Sequence, residues 1–268
     1  GLEAVADVAD DVLIAGGLED VVVLDHVGVR HQPVVALLGR IGVGVLEQEE
    51  LELGGHQRLP APLAQAGGLP AQDAAGRVRH LRMAVMVSRQ AHCLYDILAR
   101  WESGEWPIEL SLVLSNHDDH RGLVERHGLP FHHIPVEAAT KAEAEDRQIA
   151  LLKQANVDFI VLARYMQILG PSFVQTFPMR ILNIHHSFLP AFAGAHPYRA
   201  AHDRGVKIIG ATAHFVTEKL DEGPIIEQDV QRVDHTLSAD DFTAVGRDIE
   251  CMVLARAVRW HVEHRVLV

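Results

Sequence analysis

Residues 82–101, RMAVMVSRQAHCLYDILARW, decide how the chain is read. After Arg82 the opening run is wholly apolar and short, as in a strand buried on both faces. Residues 91–101 then carry Leu94, Ile97 and Leu98 on one helical face. A buried strand leading into an amphipathic helix is the start of a βαβ unit. The turn between them, Ser88-Arg89-Gln90-Ala91-His92, contains no glycine. A phosphate or dinucleotide site there needs glycines so that backbone amides can approach the anion, so no dinucleotide cofactor is expected.

The pattern continues outward. Strands are predicted over 109–114, 131–134 and 158–163, with helices over 121–127 and 141–154 between them. Such alternation predicts an α/β fold of Rossmann type, an open and mainly parallel sheet with helices on both faces and right-handed crossovers. The runs 206–216 and 225–233 flank a turn at Asp221-Glu222-Gly223-Pro224 and predict an antiparallel C-terminal hairpin at one side of the sheet. Ser238-Ala239-Asp240-Asp241 opens a long final helix with a capping-box pattern. Residues 162–169, LARYMQIL, read as a strand end followed by the first turn of a helix.

The chemistry collects in residues 181–198, ILNIHHSFLPAFAGAHPY. A short apolar run delivers Asn183, His185, His186 and Ser187 to a strand end, where ligands of open α/β sheets bind. Asp221 stands on a tight turn after another apolar run, so an amide, an imidazole and a carboxylate can converge. Taken singly, each has a plainer reading as a strand-end cap or turn residue. His186, next to His185 on a strand, is expected to point the other way.

Composition narrows the classes. A net charge of −12 argues against a broad nucleic-acid or anionic-membrane surface. The histidine pairs His132-His133 and His185-His186 lack the spacing of ligands on one strand face, and no metal is expected. Cys93 and Cys251 form neither a CxxC nor a disulfide framework, which fits a reducing cytoplasm. No stretch approaches the roughly 18 apolar residues of a membrane span.

Residues 1–80 differ from everything after them: they contain no aromatic residue and no Ser, Thr, Asn, Lys, Met or Cys. Such a segment has few N-caps and few large core anchors. Every residue type in it except Ile can be encoded by a codon starting with G or C. Two readings stay open, an Ala/Gly/Val-rich domain with strand-like runs such as Val21-Val22-Val23-Leu24, or GC-rich DNA translated in the wrong frame. The change of character places a domain boundary between residues 80 and 81.

Residues 82–268 resemble the formyltetrahydrofolate deformylases, the hydrolase branch of the formyltetrahydrofolate-dependent formyltransferase superfamily. The resemblance rests on AHCLYDIL (91–98), LSNHDDH (114–120), LARYMQIL (162–169), NIHHSFLPAF (183–192), GATAHFVTEKLDEGPII (210–226) and QDVQRVDH (228–235). It implies hydrolysis of 10-formyltetrahydrofolate to formate and tetrahydrofolate, with the folate as substrate and no cofactor. It further implies formate supply for purine synthesis and balance of one-carbon pools, in the cytoplasm, by a homo-oligomer acting on a small molecule. Asn183, His185 and Asp221 match the catalytic trio. Arg164, Tyr165, Met166, Leu169 and Val216 lie, by resemblance, beside the pterin, and His92 and Asn116 beside the region that in related transferases takes the acceptor. In the deformylases the slot of residues 1–80 usually holds an ACT-type regulatory domain, whose pattern this segment does not show.

Hydrolysis of a formamide needs a stabilised oxyanion, a group to handle the proton of water, and protonation of the departing nitrogen. Asn183 and His185 supply donors, and Asp221 a carboxylate to orient and deprotonate water. A formyltransferase with an amine acceptor, and a silent folate-binding protein, are the alternatives. The glycine-free first turn weighs against the former, and the intact trio against the latter.

Overall fold

The computed structural model describes residues 80–190 and 197–268 and, before them, three short strands: β1 (Ile14–Ala15), β2 (Val22–Asp25) and β3 (Gly28–Arg30). The chain divides into two compact units, Gly1–Arg58 and Leu59–Val268. In the first, β1, β2 and β3 pair antiparallel in chain order, and β2 falls on the strand-like run at 21–24. The remainder of residues 1–79, and with it the reading of that segment as a domain or a wrong frame, lies outside the described residues.

The second unit is built on a seven-stranded sheet. Its strands are β4 (Leu81–Val87), β5 (Ile108–Ser115), β6 (Phe131–His133), β7 (Phe159–Ala163), β8 (Ile181–His185), β9 (Ile208–Phe215) and β10 (Ile225–Arg232), in the order β10-β9-β8-β7-β4-β5-β6. From β6 to β8 every neighbouring pair is parallel, and β9 and β10 are added antiparallel. The predicted open sheet and terminal hairpin are thus both present.

Among the described residues six helices accompany this sheet: α1 (His92–Glu102), α2 (Arg121–Arg126), α3 (Lys141–Gln154), α4 (Pro171–Thr176), α5 (Pro197–Arg204) and α6 (Ala239–Val262). The central strand shows why helices cover both faces. Met83, Val85 and Val87 enter one core with Leu94 and Ile97 of α1 and Val253 and Leu254 of α6. Ala84 and Met86 enter the other, with Ile149 and Leu152 of α3 and Phe173 of α4. Alternation along a strand sends neighbours to opposite faces, so a strand packed on both sides is apolar throughout. Helix α6 starts as its sequence signals: Ser238 Oγ accepts from the Asp241 N–H at 3.2 Å, and the Asp241 carboxylate accepts from the Ser238 N–H at 2.8 Å.

Two expectations are corrected. Residues 164–170 form an irregular loop, and α4 begins only at Pro171. Arg164 takes a left-handed φ of 61°, and Pro171 biases the preceding Gly170 to the extended conformation it shows. Residues 197–204 are given no element in the sequence reading, yet they form helix α5; its first residue, Pro197, suits a first helical turn as well as it suits a loop.

Candidate active site

Strand β8 ends at His185, placing Asn183 and His185 at the carboxyl edge of the sheet. The antiparallel partner β9 puts His214 opposite Asn183. The chain beyond β8 is pinned to the hairpin through Thr212, whose Oγ1 donates to the Ser187 carbonyl at 2.8 Å and accepts from the Leu189 N–H at 3.0 Å. Gln228 of β10 donates to the same hydroxyl and to the Leu189 carbonyl, at 2.9 and 3.1 Å.

Asp221 is delivered by the turn between β9 and β10, with a positive φ of 55°. Gly223 makes that turn possible, because a Cβ there would collide with the carbonyl of Phe215. Asp221 Oδ1 lies 3.4 Å from His185 Nδ1 and 3.6 Å from His214 Nε2. The imidazole of His185 holds its carboxyl well below the ordinary carboxylate range. Asp221 is therefore an anion throughout the neutral range and a weak proton acceptor.

The imidazole of His185 is buried, and its Nε2 has no hydrogen-bond partner among the described residues. With Nδ1 turned to Asp221, Nε2 is the atom left to meet a ligand. Asn183 Nδ2 lies 3.2 Å from His214 Nε2, and His214 Nδ1 lies 2.9 Å from the Phe215 carbonyl, which only an N–H can satisfy. As that Nδ1–H tautomer, His214 accepts from Asn183 and fixes its amide, leaving the second amide N–H free to donate.

These groups line one wall of a cleft of about 440 Å³; the loop at 164–169 and residues 216–221 supply the rest. Met166 is half-exposed, and its backbone N–H donates to Ser88 Oγ at 2.9 Å. Leu169 and Val216 are packed against the second core and border the cleft. Tyr165 borders it with its side chain turned into that core, where its hydroxyl accepts from Gln148 at 2.9 Å and burial pushes its pKa up to about 12. Arg164 also reaches the lining, but its Nε is directed to Gln90 Oε1 at 2.9 Å.

His92 and Asn116 are not brought to this cleft. His92 Nε2 lies 2.8 Å from a carboxylate oxygen of Glu250, and Asn116 Oδ1 accepts from Ser88 Oγ at 2.7 Å. His186 corrects the alternation argument. It follows the last residue of β8 rather than lying within the strand, and its ring sits 5.1 Å from that of His185 on the lining of the same cleft. Glu250 lies in no motif of the sequence, whereas His214 lies in the 210–226 motif on the strand that precedes the Asp221 turn, where it reads as readily as a packed residue as a functional one.

An amide, an imidazole and an ionised carboxylate thus meet at the edge of an α/β sheet and face a loop-walled cleft, an arrangement able to bind and polarise a carbonyl group. The chain matches the formyl transferase family over residues 81–258 and belongs to it. Within that family it is similar to the formyltetrahydrofolate deformylase of Bacillus subtilis, 56% identical over 187 residues that make up 70% of this chain and 62% of that protein. The deformylase of Synechocystis is 57% identical over the same length, 70% of this chain and 66% of that one. The crystal structure of a deformylase from Pseudomonas syringae superposes with a TM-score of 0.70 at 50% identity, covering 71% of this chain and 64% of that one. A glycinamide ribonucleotide transformylase from Symbiobacterium toebii superposes with a TM-score of 0.67 at 31% identity, covering 74% of this chain and 94% of that one. The chain thus spans somewhat less than two thirds of the length of these deformylase relatives.

Proposed function

We propose that this protein hydrolyses 10-formyltetrahydrofolate to formate and tetrahydrofolate. The observation that carries the reading is the meeting of Asn183, His185 and Asp221 on one wall of the cleft. Its similarity to deformylases rather than transferases at about half identity supports water as acceptor.

In this reading the pteridine lies against the loop at 164–169 and residues 216–221, held by backbone groups beside Arg164, Tyr165, Met166, Leu169 and Val216. The formyl oxygen accepts from Asn183 Nδ2 and from Nε2 of His185, which donates there as the imidazolium whose Nδ1–H is given to Asp221, so two donors are aimed at a developing oxyanion. Asp221, already ionised, orients the attacking water and holds His185 by its other nitrogen. Water oxygen bonds to the formyl carbon as water gives up a proton, the bond from that carbon to N10 breaks with N10 gaining one proton, and the acid formed leaves as formate, releasing its remaining proton to solvent. Because Asp221 is a weak base, its contribution is orientation and electrostatics more than proton removal. The reaction asks for no cofactor.

The product suggests a role in supplying formate for purine synthesis and in balancing one-carbon pools. A cytoplasmic homo-oligomer fits this reading; among the described residues no helix is long and apolar enough to cross a membrane. The net charge of −12 disfavours nucleic acid as a partner. Incubating the full chain with 10-formyltetrahydrofolate and no acceptor tests the activity. Formate release supports it, whereas folded protein that turns over only when an amine is added makes it a transferase.

A further inference from the structure

The order of the sheet reverses between β4 and β7: the chain builds outward through β5 and β6, then returns to lay β7 on the other side of β4. In open α/β sheets the crevice at that switch point, outside the carboxyl ends of the two strands, receives a ligand, with an anion at the start of the helix after the first strand. Here that crevice lies beside the cleft that holds the catalytic trio, and the chain fills it with its own side chains.

The Ser88 N–H donates to the Arg164 carbonyl at 3.2 Å, tying the ends of β4 and β7 together. The Ser88 hydroxyl bonds to Asn116, and Arg164 donates to Gln90. At the centre is Glu250 of α6, only 1% exposed. One of its oxygens lies 2.8 Å from His92 Nε2 and 3.4 Å from Arg164 Nε, and the other accepts from the Tyr198 hydroxyl at 2.9 Å. A buried carboxylate is costly unless charged and hydrogen-bonded partners surround it, and these three do so. Despite the opposing effect of burial, His92 and Arg164 keep Glu250 below the ordinary carboxylate range. The helix start where an acceptor's anion would dock already faces an internal one.

The network also touches the reacting side. Arg164 borders the folate cleft, and the Tyr198 ring lies 6.3 Å from that of His186, which in turn lies 5.1 Å from His185. His92, Cys93 and Glu250 are, among the described residues, the set whose ligand atoms are close enough to hold a cation. A metal is not the better reading, because Tyr198 and Arg164 already engage the carboxylate, and contact with Cys251 together with burial keeps the Cys93 thiol protonated.

We propose that the His92–Glu250–Arg164 network seals the switch-point crevice against a second substrate and so determines that water accepts the formyl group. The proposal rests on the hydrolase reading. With the seal open, an amine nitrogen can bond to the formyl carbon in place of water as the bond to N10 breaks, the amine losing one proton and N10 gaining one.

The test is the partition between formate and formylated amine, a ratio that does not depend on what fraction of a variant is folded. The full chain, His92→Asn and Glu250→Gln are each given 10-formyltetrahydrofolate with glycinamide or glycinamide ribonucleotide. The unaltered chain is expected to give formate alone. Either variant is expected to raise the share of formylated amine at least tenfold over the detection limit set by the unaltered chain. Variants that release formate with no formylated amine overturn the seal while leaving the hydrolase intact. Formylated amine from the unaltered chain overturns both. No formate from any of them counts against the hydrolase reading itself.

Discussion

Asp221 Oδ1 stands 3.4 Å from His185 Nδ1 although Asp221 is held at a φ of 55°, a region that costs a non-glycine residue about 1 kcal/mol or more. The charge outweighs the strain at this position only if the carboxylate has work to do. Asp221→Gly therefore separates the two. It is expected to trade relief of the strain for loss of the contact with His185, leaving stability at neutral pH unchanged or slightly lowered, while lowering kcat at least about 100-fold. Asp221→Asn is expected to retain folate binding with a similar loss of kcat. Thermal unfolding and initial-rate assays check both, and unchanged kcat in either variant removes Asp221 from the mechanism.

The turn that carries Asp221 depends on Gly223, where a Cβ has no room against the backbone of Phe215. Gly223→Ala is expected to destabilise by roughly 2–4 kcal/mol, since backbone must move to admit the methyl group. It is also expected to lower kcat/KM more than Gly205→Ala, where a Cβ meets nothing within 4 Å and the cost is the backbone conformation alone. Denaturant melts and kinetics on the pair distinguish a crowded turn from general strain.

Stability is expected to fall on mild acidification. Burial foremost, and then the nearby charge of His264, push the pKa of His261 down to about 4 from an ordinary 6.5. Its ring packs against Phe159 and Phe215, at 4.8 and 5.8 Å. A histidine kept neutral in the fold takes up its proton more readily when unfolded. Its stabilising effect is present above pH 6.5 and is lost as the pH falls from there toward 4, by at most about 3 kcal/mol. His261→Phe is expected to flatten that slope in urea melts between pH 7 and 4.5, and an unaltered slope assigns the effect to other groups.

Much of this architecture was legible because the sequence speaks at several levels at once. The run at 82–87 is apolar throughout and enters both cores, residues 141–154 carry a helical stripe, and Ser238 with Asp241 marks the start of α6. Helices α4 and α5 escaped because each is short and opens with a proline, which reads equally as a loop. Within the site, Asn183, His185 and Asp221 were legible from their motifs. Glu250 was not: it sits midway along α6, where a lone carboxylate normally faces solvent, and only the tertiary approach of His92, Arg164 and Tyr198 makes it a buried hub. His186 was misread because alternation applies within a strand, and β8 ends one residue earlier.

The central claim is that this wall of Asn183, His185 and Asp221 delivers a formyl group to water. The most direct measurement is formate produced from 10-formyltetrahydrofolate by the full chain with no other acceptor present. Stoichiometric formate and tetrahydrofolate, lost together in Asp221→Asn, is the predicted result. Folded, folate-binding protein that yields no formate, or equal yield from Asp221→Asn, contradicts it.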